Sequence, residues 1–185
     1  MNSLTIPPVL ETNRLILRRL TPEDAAFILD LLNQPSFIQF IGDRNVRTLA
    51  DARNYISQGP VASYARHGFG LYLTLLKDSG EPIGLCGLIK RDSLPDVDVG
   101  YALLPQFWGK GYATEAATAV FSYGRYTLGI PRIVGVVNAD NAGSIAVLKK
   151  LGLRYEKMVR LTADGPEVQL FAPEADPERR DPCTE

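Results

Sequence analysis

One stretch constrains this chain more than any other: Leu103-Leu104-Pro105-Gln106-Phe107-Trp108-Gly109-Lys110-Gly111-Tyr112-Ala113-Thr114-Glu115-Ala116. It begins as the end of an apolar strand, crosses a short glycine-containing loop and becomes a helix. Ala113, Ala117, Val120 and Leu128 are spaced for one buried helical face, and Gly129 followed by Pro131 supplies the stop. Gly109 and Gly111 remove Cβ where a backbone must turn tightly and let something approach its N–H groups. The first amides of a helix have no intrahelical acceptor, and the macrodipole makes that end positive. The loop therefore suits an anion, phosphate above all. The plain alternative is an ordinary strand-to-helix turn, because short glycine motifs also occur by chance. Two well-known phosphate loops fail on the letters. A dinucleotide fingerprint needs a third glycine where Thr114 stands, and a P-loop needs Ser or Thr where Gly111 follows Lys110.

Around this stretch the chain reads as a single domain, residues 1–172, with a proline- and charge-rich tail at 173–185 that has nothing to bury and is expected to be disordered. With 185 residues, of which 45% are hydrophobic, it can build a real core. Its 20 Lys and Arg against 21 Asp and Glu give no imbalance to steer it to nucleic acid or membrane. No apolar run approaches the roughly 18 residues of a membrane span, and no signal-peptide pattern opens the sequence. Cys86 and Cys183 provide no disulfide framework, so a cytoplasmic location is expected. A lone histidine, His67, makes a His/Cys metal site an unexpected feature, and its place before Gly68 suits a solvated loop.

The N-terminal segment 1–11 is held extended by Pro7-Pro8. Residues 14–20 alternate well enough for a first strand, and Thr21-Pro22-Glu23-Asp24 reads as N-cap, first-position proline and acidic first turn of a helix that Pro35 stops. Residues 34–68 are the least legible: Phe37, Ile38, Phe40 and Ile41 are apolar, Thr48 caps a helix over 49–58, and Gly59-Pro60 is expected to break it. Strands are predicted over 69–77 and 82–91, joined by Asp78-Ser79-Gly80-Glu81, and over 96–104. A buried strand at 133–137 precedes a helix capped by Asn138-Ala139-Asp140-Asn141, with Lys149, Lys150 and Gly152 at its end. A hairpin of 154–161 and 167–172 closes the domain.

Gln106 to Gly111 fits Q/R-x-x-G-x-G/A, the acyl-CoA pyrophosphate signature, and the chain resembles the GNAT superfamily of N-acetyltransferases from about Arg14 to Ala172. Thr12 to Arg18 and the run from Gly100-Tyr101 to Ala116 resemble its bacterial ribosomal-protein N-terminal branch. The resemblance implies an α/β (α+β) fold: a mixed, mostly antiparallel sheet of about seven strands, splayed between the fourth and fifth, with about four flanking helices. It implies an enzyme that moves an acetyl group from acetyl-CoA to an amine acceptor by direct transfer, with no metal, working as a monomer or homodimer. The pantetheine arm would pair with the freed edge at Ala102, Leu103 and Leu104. Gln106, Trp108, Gly109, Lys110, Gly111, Tyr112, Ala113 and Thr114 would hold the pyrophosphate, and Asn141 would contact CoA.

For proton movement, Asp96 and Asp98 share one strand parity, opposite Val97 and Val99. Asp98 stands two before Gly100-Tyr101, where relatives carry a glutamate, and is the expected base; an outer solvated edge is the other reading. The family's tyrosine, seven after the asparagine, is here Leu148. Ser144 is the substitute the branch suggests, unless it only satisfies the helix end. The missing tyrosine leaves a second reading open, a non-catalytic acetyl-CoA-binding or regulatory module.

Overall fold

The computed structural model describes residues 6–174. Its strands are β1 (Pro8–Glu11), β2 (Leu15–Arg19), β3 (Leu71–Leu76), β4 (Pro82–Lys90), β5 (Val97–Leu103), β6 (Ile133–Val137), β7 (Leu153–Arg160) and β8 (Glu167–Pro173). They form one sheet in the order β1-β2-β3-β4-β5-β6-β8-β7. The helices are α1 (Ala25–Leu32), α2 (Pro35–Phe40), α3 (Leu49–Ile56), α4 (Ala62–His67), α5 (Tyr112–Ser122) and α6 (Ala142–Lys150). Leu15, Leu17, Ile28, Leu31, Tyr72, Leu85, Leu88 and Ile133 are among the fully buried side chains that join both helical layers to the sheet. Burying each such side chain contributes roughly 1.5–3 kcal/mol.

The position of the site follows from one pairing. β5 and β6 are parallel and register only at Val97 with Ile133 and Asp98 with Val134. The other neighbouring strands pair antiparallel. Beyond Asp98 the two strands part, and the rest of β5 keeps β4 as its partner on one side only. The expected splay is therefore present. It lies between β5 and β6 because the N-terminal segment is itself a strand, β1, paired with β2.

Several sequence expectations need correction. Pro35 opens α2 rather than simply closing α1, since a helix's first position needs no N–H. Gly59-Pro60 does not break the helix: a widened turn, Ser57–Val61, carries the chain through and on into α4. Pro60 has no N–H to give, and the wider turn absorbs that loss. His67 is the last residue of α4, stacked on Phe69, and Gly68 follows at φ +78°. Pro173 belongs to β8, facing Leu153, so the domain runs past residue 172. The remainder of the expected tail, 175–185, lies outside the described residues. Among those described, no helix is long and apolar enough to cross a membrane.

Candidate functional site

Gly109 and Gly111 take φ +73° and +80°, the left-handed region that disfavours a side chain. A Cβ built on Gly109 would meet nothing within 4 Å, so no packing within the protein requires that glycine. What the turn achieves is exposure of backbone donors. The first amide after Trp108 that is bonded is that of Glu115, to the Gly111 carbonyl; those from Gly109 to Thr114 find no acceptor among the described residues. A row of free N–H groups at the positive end of α5 is an anion cradle, and it fits a pyrophosphate.

A latch holds the cradle to the turn that leads into β2. The Glu115 carboxylate accepts from the Thr12 hydroxyl at 2.6 Å, the Arg14 amide at 2.9 Å and the Arg14 Nε at 2.7 Å. Arg14 also donates to the Lys110 carbonyl at 3.0 Å and lies over the Tyr112 ring, 4.5 Å from its centre. Partial burial pushes the Glu115 pKa up, but the bonds from Thr12 and Arg14 outweigh it and leave the group below its ordinary value.

The open edge of β5 can be read from one bond. The Leu104 amide donates to the Ile83 carbonyl at 2.9 Å, so even-numbered residues face β4 and odd-numbered ones face the splay. Ala102, expected on the free edge, therefore has its backbone groups turned to β4; the free amides are those of Leu103 and Tyr101. The Leu103 carbonyl accepts from the Trp108 indole at 2.8 Å. Leu104 is buried, and neither Gln106 nor Lys110 lines the cavity beside the splay. The Lys110 ammonium sits over the Phe107 ring instead. Gly109, Gly111, Tyr112, Ala113, Thr114, Asn141 and Ser144 do line it, as do Ala102, Leu103 and Trp108.

That cavity measures about 1630 Å³ and reaches both faces of the sheet. Along β5, Asp98 and Tyr101 have opposite parity and open onto opposite faces. On the α5–α6 face, the Tyr101 hydroxyl donates to the Ser144 carbonyl at 3.0 Å, while the Asn141 side chain accepts from the Ser144 amide at 3.0 Å. Burial pushes the Tyr101 pKa up, so it stays a neutral donor. Leu148 is buried and faces Gly135. Asn138 does not cap α6; its side chain donates to the Phe40 carbonyl and ties β6 to α2.

On the other face, Asp98 is 1% exposed, and Arg91 grips both of its oxygens at 3.1 and 3.2 Å. The solvated reading of Asp98 is thereby overturned. Burial raises its pKa, with Arg91 opposing. Asp96 does not share its surroundings: it precedes β5 and binds Arg132 at 3.0 Å near the surface. Arg91, Tyr55 and Tyr101 escaped the sequence reading. Only the parity of Tyr101 relative to Asp98 offered a signal for any of them.

The family description "Acetyltransferase (GNAT) domain" matches residues 14–154. The chain belongs to the GNAT acetyltransferase family. GNAT acetyltransferases use acetyl-CoA, and this protein is an acetyltransferase. It is 31% identical over 155 residues to the Bacillus subtilis protein described as the uncharacterized N-acetyltransferase YoaA, covering 83% of this chain and 86% of that one. It is similar to the crystal structure of an acetyltransferase from Agrobacterium tumefaciens, with a TM-score of 0.77 and 27% identity over 93% of this chain and 96% of that chain. The ribosomal L7/L12 alpha-N-protein acetyltransferase RimL in complex with coenzyme A shares the fold, with a TM-score of 0.76 and 19% identity over 90% and 97% of the two chains.

Proposed function

We propose that this acetyltransferase moves an acetyl group from acetyl-CoA to a primary amine, a protein N-terminal amine or a small-molecule amine, by direct transfer within a ternary complex. The observation that carries the reading is the row of unbonded amides from Gly109 to Thr114 beside the open edge of β5. The catalytic unit is the single domain, extended through Pro173. Acetyl-CoA supplies the acetyl thioester. The cradle amides hold its pyrophosphate, the Asn141 side-chain amide contacts it, and the Leu103 or Tyr101 amide polarises the thioester carbonyl. Losing such a donor costs about 100- to 1000-fold in rate.

Asp98 takes the proton of the incoming amine. Arg91 occupies one direction on each oxygen and leaves others free, so a water relays the proton into this buried group. Its raised pKa moves it toward the working range of a base. On the opposite face, Tyr101 and Ser144 are the two hydroxyls beside α6 that can return a proton to the leaving thiolate. The Tyr101 hydroxyl comes from β5 to the Ser144 carbonyl, one helical turn before Leu148, and so stands in for the tyrosine missing there.

Thiol release from acetyl-CoA, measured over amines and N-terminal peptides, tests the reading. Release that depends on an amine is expected. Tight acetyl-CoA binding with no release for any amine would favour the non-catalytic module to which Leu148 points.

A further inference from the structure

The acceptor side of the cavity has a chemical character of its own, and the inference drawn from it rests on the cavity being the site of acetyl transfer. Phe37, Ile38 and Ile41 supply apolar wall. Tyr55 reaches in from α3, and its hydroxyl has no hydrogen-bond partner among the described residues. Burial pushes its pKa up, while Arg44 and Arg91 pull it down, so both guanidinium groups act on this phenol. Arg44, on the loop after α2, is exposed and has no carboxylate partner among the described residues; the same holds for Arg66 on α4. Of the carboxylates that line the cavity, Asp98 is already gripped by Arg91, and Asp92 and Asp140 are exposed. The Lys90 ammonium is spent on the carbonyls of Leu94 and Pro95.

The cavity lining thus carries surplus positive charge, five Lys and Arg against three Asp, in a chain whose net charge is −1. A polyamine would meet more guanidinium and ammonium groups there than carboxylates, with only Asp92 and Asp140 exposed to receive it. A neutral amine would leave the Tyr55 hydroxyl and the Arg44 guanidinium without a partner. An amine that also bears a carboxylate or phosphate satisfies both, since arginine presents a planar fork of donors to such groups. We infer that the acceptor is a primary amine carrying an anionic group, held by Arg44 and Tyr55, with Arg91 shared between that group and Asp98. This selects against polyamines and aminoglycoside-like polycations, and favours amino acids, amino phosphates or peptides with an acidic residue next to the N-terminus.

Matched acceptors test this: β-alanine against its amide, phosphoethanolamine, a diamine of similar length, and peptide pairs that differ only as Glu or Gln at the second position. The wild-type enzyme is expected to favour an anionic member over its neutral match by roughly 10- to 100-fold in kcat/KM, as for lost charge-assisted hydrogen bonds. Whether β-alanine or phosphoethanolamine leads separates carboxylate from phosphate. Arg44→Gln should collapse that preference through KM, with acetyl-CoA affinity and turnover of the neutral acceptors unchanged. Because Arg44 is exposed and unpaired among the described residues, this variant should fold normally. Tyr55→Phe should act in the same direction, more weakly. Preference for the diamine, or an Arg44→Gln variant that slows every acceptor equally, would overturn the inference while leaving acetyl transfer intact. Thiol release that no acceptor stimulates would overturn the underlying reading, and the inference with it.

Discussion

Replacing Glu115 by Ala tests the latch that connects the turn before β2 to the glycine loop. Thr12 and the Arg14 amide share one oxygen, at 2.6 and 2.9 Å, and the Arg14 guanidinium takes the other at 2.7 Å. Bonds to a charged group contribute about 1.5–3 kcal/mol when sheltered, and exposed ion pairs about 0–1 kcal/mol. The side chains here are 47% and 19% exposed, which argues for the low end throughout. The total is about 2 kcal/mol, or a fall in melting midpoint of roughly 4–8 °C for a chain of this size. The Arg14 bond to the Lys110 carbonyl would survive but lose its anchor. Loosening the cradle by about 1 kcal/mol should weaken acetyl-CoA roughly fivefold. Glu115→Gln keeps the two bonds to one oxygen and should fall between. The latch is also acid-labile, with a definite sign. A carboxylate held below its ordinary 4.5 contributes fully above that value and loses its contribution as pH falls through the lowered one. Calorimetric melting and titration of acetyl-CoA read both effects. A Glu115→Ala variant with unchanged midpoint and unchanged affinity would refute the reasoning.

Gly109→Val should remain folded, at a cost of about 1–2 kcal/mol for a side chain in left-handed backbone, yet lose measurable acetyl-CoA binding by calorimetry. Unchanged affinity would rule the loop out as the cofactor site. Asp98→Asn should lower the rate by about 100- to 10,000-fold. Because burial lifts the Asp98 pKa, the low-pH limb of the wild-type rate should lie above 3.8, with activity lost as pH falls through it, and the limb should flatten in the variant. Wild-type turnover of Asp98→Asn at neutral pH would leave proximity as the main source of acceleration. Tyr101→Phe should slow kcat more than Ser144→Ala, with acetyl-CoA affinity unchanged in both; the reverse order would return the donor role to the serine.

What the sequence revealed was what short-range chemistry determines. The Asn141 cap, the strand at Ile133–Val137 and the strand–loop–helix unit around Gly109 depend on neighbours a few residues away, and they were legible. Residues 34–68 were not, because proline and glycine are ambiguous there: Pro35 is as good a first helical residue as a stop, and Gly59-Pro60 fits a widened turn as well as a break. The surroundings of Asp98 were hidden for another reason. Its partner, Arg91, is brought near by a hairpin register that sets Ile89 against Asp98. The latch joins residues about a hundred positions apart, Arg14 and Glu115, which no local pattern can announce.

The indole that rests on the Leu103 carbonyl is the only tryptophan in the chain, and its side of the cavity mouth leaves it 48% exposed. Whatever settles along the freed edge of β5 must either cover that ring or lift its N–H from the carbonyl. Either event changes the polarity around the chromophore. The protein therefore carries its own optical gauge at the freed edge of β5. Titrating acetyl-CoA should shift the emission maximum, while an acceptor added alone should leave it still, so the order in which the two substrates engage can be read from unlabelled protein in a single cuvette.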